Sequence, residues 1–429
     1  MRSFVGTLCD MSDETPRLRT TKLDHGLEVV TENHPSRRSA SLCWLVPGGV
    51  GSDPLDSGDG HATMISEYLL RGCGSLDSRE FSDALDRLGA RRSVAADTYH
   101  QRIAATIPGN RLSPTLDLLM DLVRRPAFPE PALEPVRALC LQELSGLEDD
   151  PSHLVGIRLD EIRYPSPFDR HGLGIEEHLR AATREQLVDH WSSVAGPDGS
   201  IIAIAGAVDH DAVVEQLKRA TDGWTGGGSR PQAAGLPTGG VCRIERDTSQ
   251  VHLALGFDGP VSGDPDALAF RTAIGVLGGG TSSRLFLDVR ERRGLAYAIG
   301  SRYEEGLALG SVTISAGTTP ERVSETLERI EAVLVEFDEQ GPTDEEVGRI
   351  AVMLRASGLM QQEEGPSRAR QLALDAFRLG HPRSIKDILD AYAAIDPDNV
   401  RRVATERIGA PWRAAGTRCL LGPAASIHA

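Results

Sequence analysis

The sequence is short of features that would tie it to a membrane, a redox motif or a phosphate. No run of about 18 apolar residues occurs, so no membrane-spanning helix is expected. The opening MRSFVGTLCDMSDETPRLRT holds no apolar stretch, so no secretory leader is expected. The six cysteines (Cys9, Cys43, Cys73, Cys140, Cys242, Cys419) are scattered without any C-x-x-C. Reduced thiols in a cytoplasmic protein are the expectation. The 12 histidines form no H-x-x-H, H-x-x-x-H or H-x-x-E-H set. No Walker-type glycine loop occurs, and the glycines at 278–280 lack the pattern that cradles a phosphate. Basic residues are in deficit: the formal net charge is -16, which argues against a general binder of nucleic acid or anionic membrane.

What is present is a soluble globular composition, 40% hydrophobic and 25% charged over 429 residues. Residues 1–20 are polar and expected to be poorly ordered. Strands are predicted at 27–31 and 40–46, and a helix over 60–70, where Ala62, Ile65, Leu69 and Leu70 recur at helical spacing. Ser78 is the predicted N-cap of the next helix, with Gly89 its stop. Strands near 92–98 and 101–107 precede a helix from Ser113 and another from Pro131. Thr183 to Gln186 is a capping-box pattern, and 200–206 is a short buried strand.

Residues 225–240 (TGGGSRPQAAGLPTGG) have the composition of a linker. Beyond it the order repeats: strand 251–255, helix 266–277, helix 282–292, strands near 297–303 and 308–315, then a long helix to 337. Residues 104–123 and 312–335 each read as a strand, a short loop and an amphipathic helix. The expected fold class is therefore α+β, with two related α/β halves (20–224 and 241–429) around the linker 225–240.

The stretch Gly278 to Tyr297, GGGTSSRLFLDVRERRGLAY, is the most distinctive in the chain. Arg290 offers a permanently charged planar fork of donors, and Tyr297 a phenolic hydroxyl. Taken alone, a loop, a solvated charged helix and a strand account for it equally well.

Two motifs together give the chain a resemblance. Gly278–Tyr297 is similar to G-x-S-S-R-L-F-x-x-V-R-x-x-x-G-L-A-Y of the inverzincin peptidases, the pitrilysin, insulinase and mitochondrial-processing-peptidase superfamily. Matching residues are Ser282, Ser283, Arg284, Leu285, Phe286, Val289, Arg290, Gly294, Leu295, Ala296 and Tyr297. Gly60 to Gly72 resembles that superfamily's H-x-x-E-H helix in its frame (Gly60, Ala62, Leu69, Gly72) but not in its chemistry. Thr63 and Glu67 stand where the two zinc-binding histidines belong, and Ser66 replaces the general-base glutamate. Glu143 falls at the third-ligand position, ahead of Asp149-Asp150-Pro151.

The resemblance implies halves that together form one side of a clam-like chamber, and a degenerate zinc site. Zinc prefers imidazole or thiolate ligands, which Thr63, Glu67 and Glu143 do not supply. Glu67 and Glu143 also offer too few oxygens for a hard cation. No metal or cofactor is expected in this chain; zinc belongs to a partner. The resemblance further implies the non-catalytic subunit of a heterodimeric zinc metalloendopeptidase. Arg290 and Tyr297 would contact substrate in trans to a homologous subunit with an intact H-x-x-E-H. The edge strand at Ser93-Val94-Ala95 would pair with an unfolded peptide, although the family has an asparagine where Ser93 stands. The alternatives are a non-proteolytic scaffold of the same fold and a homodimer that binds a peptide alone.

Overall fold

Strand Ser39–Pro47 runs through the middle of one sheet, and every residue after Ser39 is buried. A strand reads as continuously apolar when both faces of its sheet are covered. The architecture around it is given by a computed structural model that describes residues 16–228, 230–234, 239–409, 412 and 416–428.

In the first half, β1 (Arg17–Lys22), β2 (Glu28–Asn33) and β3 (Ser39–Pro47) lead to helix α1 (His61–Leu69). The short pair β4 (Gly72–Cys73) and β5 (Leu76–Asp77) precedes α2 (Ser78–Leu88), β6 (Arg91–Ala96) and β7 (His100–Pro108). Helices α3 (Leu112–Arg124), α4 (Leu133–Gly146), α5 (Pro151–Arg163), α6 (Glu176–Ala181) and α7 (Arg184–Val194) follow. β8 (Ile201–Gly206) and α8 (His210–Ala220) close the half. The second half runs β9 (Val241–Glu245), β10 (Val251–Gly259), α9 (Ala267–Gly278), a π-helical turn over Phe286–Arg292, β11 (Ala296–Glu305) and β12 (Gly310–Thr318). It continues through α10 (Val323–Gln340), α11 (Asp344–Glu363), α12 (Gly365–Leu379), α13 (Ile385–Ala393), α14 (Pro397–Ala404), β13 (Thr417–Gly422) and α15 (Ala424–Ile427).

The two sheets repeat one topology. From one edge the first reads β6-β7-β3-β8-β2, and the second β11-β12-β10-β13-β9. In each, three antiparallel steps are followed by one parallel step. The first sheet alone has an added outer strand, β1 on β2. The chain is thus an α+β protein built twice from the same unit.

The halves exchange helices. α12 lays Ala369, Leu372, Ala373, Ala376 and Phe377 on Val30, Cys43, Leu45, Ile201, Ala203 and Ala205 of the first sheet. α5 returns the arrangement, setting Leu154, Val155 and Leu159 on Ala254, Cys419 and Leu421 of the second. Each large apolar side chain buried this way contributes about 1.5–3 kcal/mol. Each helix also carries an arginine across the joint. Arg368 of α12 forms a fully buried ion pair with Glu32 on β2. Arg163 of α5 bonds the carbonyls of Phe257 and Val312 and pairs with the exposed Asp258.

Several expectations change. Arg17–Lys22 are ordered in β1, whereas residues 1–15 lie outside the described residues. Asp77, not Ser78, caps α2: its carboxylate accepts from the amides of Arg79 and Glu80, while the Glu80 carboxylate accepts from the Asp77 amide. Gly89 does stop that helix, at φ 66°. α5, β9 and β13 had no periodic signal strong enough to announce them. Within the expected linker, 229 and 235–238 lie outside the described residues; the Ala234 amide donates to the Ser166 carbonyl of the first half at 2.7 Å, while Arg230 stacks on Phe377 of α12 and the Gly240 carbonyl accepts from the Arg418 amide of β13. No helix among the described residues is long and apolar enough to cross a membrane.

Candidate functional site

The frame of the degenerate motif has structural causes. Gly60 takes φ 106° at the N-cap of α1, and a Cβ there would meet Leu179 Cδ2 at 2.7 Å. Only glycine tolerates both. The buried carboxylate of Asp53 accepts from the amides of Gly60 (3.0 Å) and Ala62 (2.9 Å), satisfying two orphan donors of the helix start. His61 is buried beside this cap, its ring 5.9 Å from that of His190, and neither nitrogen of the His61 ring has a hydrogen-bond partner among the described residues. Burial lowers its pKa, partly opposed by Asp53. His61 therefore faces the helix cap.

The three motif positions on α1 are occupied by internal bonds. The Thr63 hydroxyl donates to the Gly172 carbonyl. The buried Ser66 hydroxyl donates to Gln101 Oε1 at 2.7 Å and lies 3.1 Å from the Ala62 carbonyl, the alternative acceptor for its one proton. Gln101, itself wholly buried, donates back to the carbonyls of Ala62 (2.6 Å) and Gly48 (3.2 Å). Glu67 lies 3.8 Å from Arg71, one turn on.

Glu143 is exposed on α4. α1 packs on α4, so Glu67 and Glu143 do share a neighbourhood, and what stands between their fields is Cys140. Burial, reinforced by both carboxylates, pushes that thiol up to about 12. A protonated thiol and a serine-glutamine pair cannot replace two imidazoles and a general base. Among the described residues, no group of three His, Cys, Asp or Glu is arranged to hold a metal ion. The donor set does not fit zinc. Asp53, Gln101 and Gly172 belong to no sequence motif: Gln101 and Gly172 reach α1 from far along the chain, and Asp53 from the loop just before the helix.

Ser93, Val94 and Ala95 lie on β6, which has β7 on one side and forms the edge of the first sheet. Ser93 is exposed, while Val94 and Ala95 are half-buried.

The Gly278–Tyr297 stretch is held from beneath. Leu285 and Val289 are wholly buried in the second core. Arg284 clamps Glu346 through two bonds (2.9 and 2.8 Å), donates to the Gly341 carbonyl and stacks on Phe337. The buried Asp288 receives Arg329 and Arg293. The expected helix is a π-helical turn, a form frequent at functional sites. Gly294 turns the chain at φ 62°, and the Leu295 amide returns to the Val289 carbonyl at 2.9 Å.

The two singled-out side chains emerge from this clamped segment. Arg290 is exposed, its guanidinium lies 4.8 Å from the centre of the Phe286 ring, and its side chain makes no hydrogen bond or ion pair among the described residues. Tyr297 is 61% exposed on β11, the edge strand of the second sheet. The register slips between Ala296 and Ala298, which makes Tyr297 the bulged residue. A bulge re-aims a side chain away from the pleat. Among the described residues neither Arg290 nor Tyr297 is bonded to α1 or α4.

Comparison with known proteins agrees with this architecture. The family profile described as "Peptidase M16 inactive domain" matches residues 181–353, a span that includes Arg290 and Tyr297 and excludes α1. A protein of Streptomyces coelicolor described as an uncharacterized zinc protease is 30% identical over 405 residues, covering 91% of this chain and 87% of its own length. One of Mycobacterium tuberculosis, described likewise, is 30% identical over 414 residues, covering 94% and 93%. Among solved structures, a peptidase M16 inactive domain from Pseudomonas fluorescens matches with TM-score 0.85 at 21% identity, covering 95% of this chain and 98% of its own. A Helicobacter pylori protease matches with TM-score 0.85 at 18% identity, covering 95% and 100%.

Proposed function

This chain belongs to the M16 peptidase family of zinc proteases, and from that premise we propose that it is the non-catalytic subunit of a two-subunit zinc metalloendopeptidase. The partner is a homologous chain with an intact H-x-x-E-H, and the metal chemistry resides there. This chain supplies hydrogen-bond donors. Arg290 binds a carbonyl of an unfolded peptide, and Arg290 with Tyr297 stabilises the oxyanion that develops at the partner's centre. Donors aimed at developing charge in a water-excluded site are worth more than in water, which is why they act across a subunit boundary. The β6 edge at Ser93-Val94-Ala95 receives the extended peptide as an added strand. Free thiols at Cys43, Cys73, Cys140, Cys242 and Cys419 support a reducing, cytoplasmic setting.

The observation that carries this reading is a contrast in how polar groups are used. The motif positions on α1 are spent on internal bonds, whereas Arg290 and Tyr297 are exposed and unspent on a rigidly clamped segment. A scaffold role leaves that pair without a purpose.

The test is peptide cleavage by this chain, by the H-x-x-E-H partner, and by their equimolar mixture, with zinc quantified in each. Activity confined to the mixture, with zinc in the partner and loss on Arg290→Ala, is expected. Zinc and cleavage in this chain alone would sink the proposal, as would a fully active Arg290→Ala mixture.

A further inference from the structure

The second sheet sets two cysteines side by side that lie far apart in sequence. Cys242 on β9 and Cys419 on β13 are direct partners in the parallel register. Neighbouring strands run roughly 4.7–4.9 Å apart, within the roughly 4.4–6.8 Å between Cα atoms that a disulfide spans. Register partners project to the same side of a sheet. Here that side is the one α5 covers: Cys419 is buried with Leu154, Val155 and Leu159, and Cys242 is half-buried at the margin. Burial, reinforced by the neighbouring Cys242 thiol, raises the Cys419 pKa. Arg158 of α5 lies close enough to feel both sulfurs while paired with Glu161. The other described cysteines, Cys43, Cys73 and Cys140, are buried, with thiols pushed up by burial to about 12, 11 and 12.

We propose that Cys242 and Cys419 form an oxidative modification site, closed to a disulfide by a peroxide-class oxidant and reopened by a dithiol. Cys242 meets the oxidant first because it lies half-buried on the edge strand, whereas Cys419 is buried one strand further in. The ionised Cys242 sulfur attacks one peroxide oxygen; the O–O bond breaks, Cys242 becomes a sulfenic acid, and the departing hydroxide takes up the proton that the thiol released, leaving as water. The Cys419 sulfur then attacks the Cys242 sulfur. The S–O bond breaks, and the departing hydroxide takes the Cys419 proton to form a second water. The two electrons lost by the thiols are those gained by the peroxide. Reduction runs by attack of an external thiolate through a mixed disulfide. Closure ties β9 covalently to β13, its one neighbour in the sheet, and shortens the unfolded chain's freedom across most of the second half.

The experiment treats the full-length chain with hydrogen peroxide, alkylates the remaining thiols, and maps the products by non-reducing peptide mass spectrometry. A peptide joining Cys242 to Cys419, two hydrogens lighter than its parts and released by dithiothreitol, is expected. Cys43, Cys73 and Cys140 stay alkylatable once the protein is unfolded. The thermal midpoint should rise on oxidation and return on reduction, and this shift should vanish in Cys242→Ala. Persistence of both thiols under peroxide, over-oxidation of Cys242 without a crosslink, or a thermal shift that survives in Cys242→Ala would each overturn the assignment.

Discussion

The first and second halves share a strand order and differ in what they do with their polar side chains. On α1 the side chains at the motif positions close on their own neighbours: Ser66 on Gln101, Thr63 on Gly172, Glu67 on Arg71. On the π-turn and β11 the bonding is beneath the surface, through Arg284 and Asp288, and leaves Arg290 and Tyr297 projecting. A buried polar group must be satisfied internally or it costs stability, so a satisfied cluster is what remains once a ligand set is gone. An exposed pair on a rigid support meets no such demand, because solvent satisfies its donors. The two halves also differ at their joint. α12 crosses with an arginine whose acid is buried, and α5 with one whose acid is exposed.

The joint offers the largest effect. Arg368→Met leaves the buried Glu32 with His34 alone and should destabilise the chain by about 3–5 kcal/mol at pH 7. Asp258→Ala, at the other crossing, should cost less than about 1 kcal/mol, since that acid is solvated. Denaturant titrations compare the two directly, and equal losses would erase the distinction. The pH dependence adds a second reading. Burial works to raise the Glu32 pKa, but bonds from His34 and Arg368 outweigh it and hold the group at about 2. A carboxylate depressed in the fold stabilises above its unfolded pKa of roughly 4.3, and that contribution is lost as pH falls toward the native value. The gap between wild type and Arg368→Met should therefore narrow in titrations below about pH 4.

Arg290→Ala comes next. In the two-subunit mixture it should lower kcat by about 10²–10³-fold, or about 2.7–4 kcal/mol of barrier. The thermal midpoint should stay put, because the side chain is exposed and makes no hydrogen bond or ion pair among the described residues. Ser66→Ala should do the reverse. It leaves Gln101 Oε1 without its donor and should cost about 1–3 kcal/mol of stability with kcat unchanged. Should Ser66→Ala impair turnover as much as Arg290→Ala, the division between a spent and an unspent half fails.

A further, smaller effect than that of Arg290→Ala concerns α5. Burial, partly offset by Arg163, raises the Asp160 pKa to about 6. An acid raised in the fold contributes stability below its unfolded pKa of roughly 3.9 and loses it as pH rises through the native value. Asp160→Asn should stabilise the chain by about 1–2 kcal/mol at pH 7.5, and this gain should fade below about pH 4. Melting curves at both values check it.

Local features were legible in the sequence where short-range physics decides. The Thr183–Gln186 capping box and the Gly89 stop follow from contacts within a few residues, and the strand at 200–206 announces itself by an unbroken apolar run although its partners β2 and β3 are distant. The repeated strand-loop-helix at 104–123 and 312–335 pointed to two related halves. What escaped depends on distant partners. α5 carries its apolar residues for a sheet in the other half, so its own periodicity is blurred. β9 and β13 are short, and their pairing joins residues almost a full half apart. In the candidate site, the motif frames placed Thr63, Ser66, Glu67, Arg290 and Tyr297. Gln101 and Asp53 belong to no motif; only folding brings them against α1.

The exchange of α5 and α12 has a consequence for the chain as an assembly. A half produced by itself would carry a helix with nowhere to lie and a sheet with one side wet. Two copies of such a half could each lend the other its helix, at a protein concentration set by their affinity. Joining them in one polypeptide replaces that second-order encounter with an intramolecular one of high effective concentration. A protease nick between residues 225 and 240 would then leave a complex of two fragments, held by the two crossed helices.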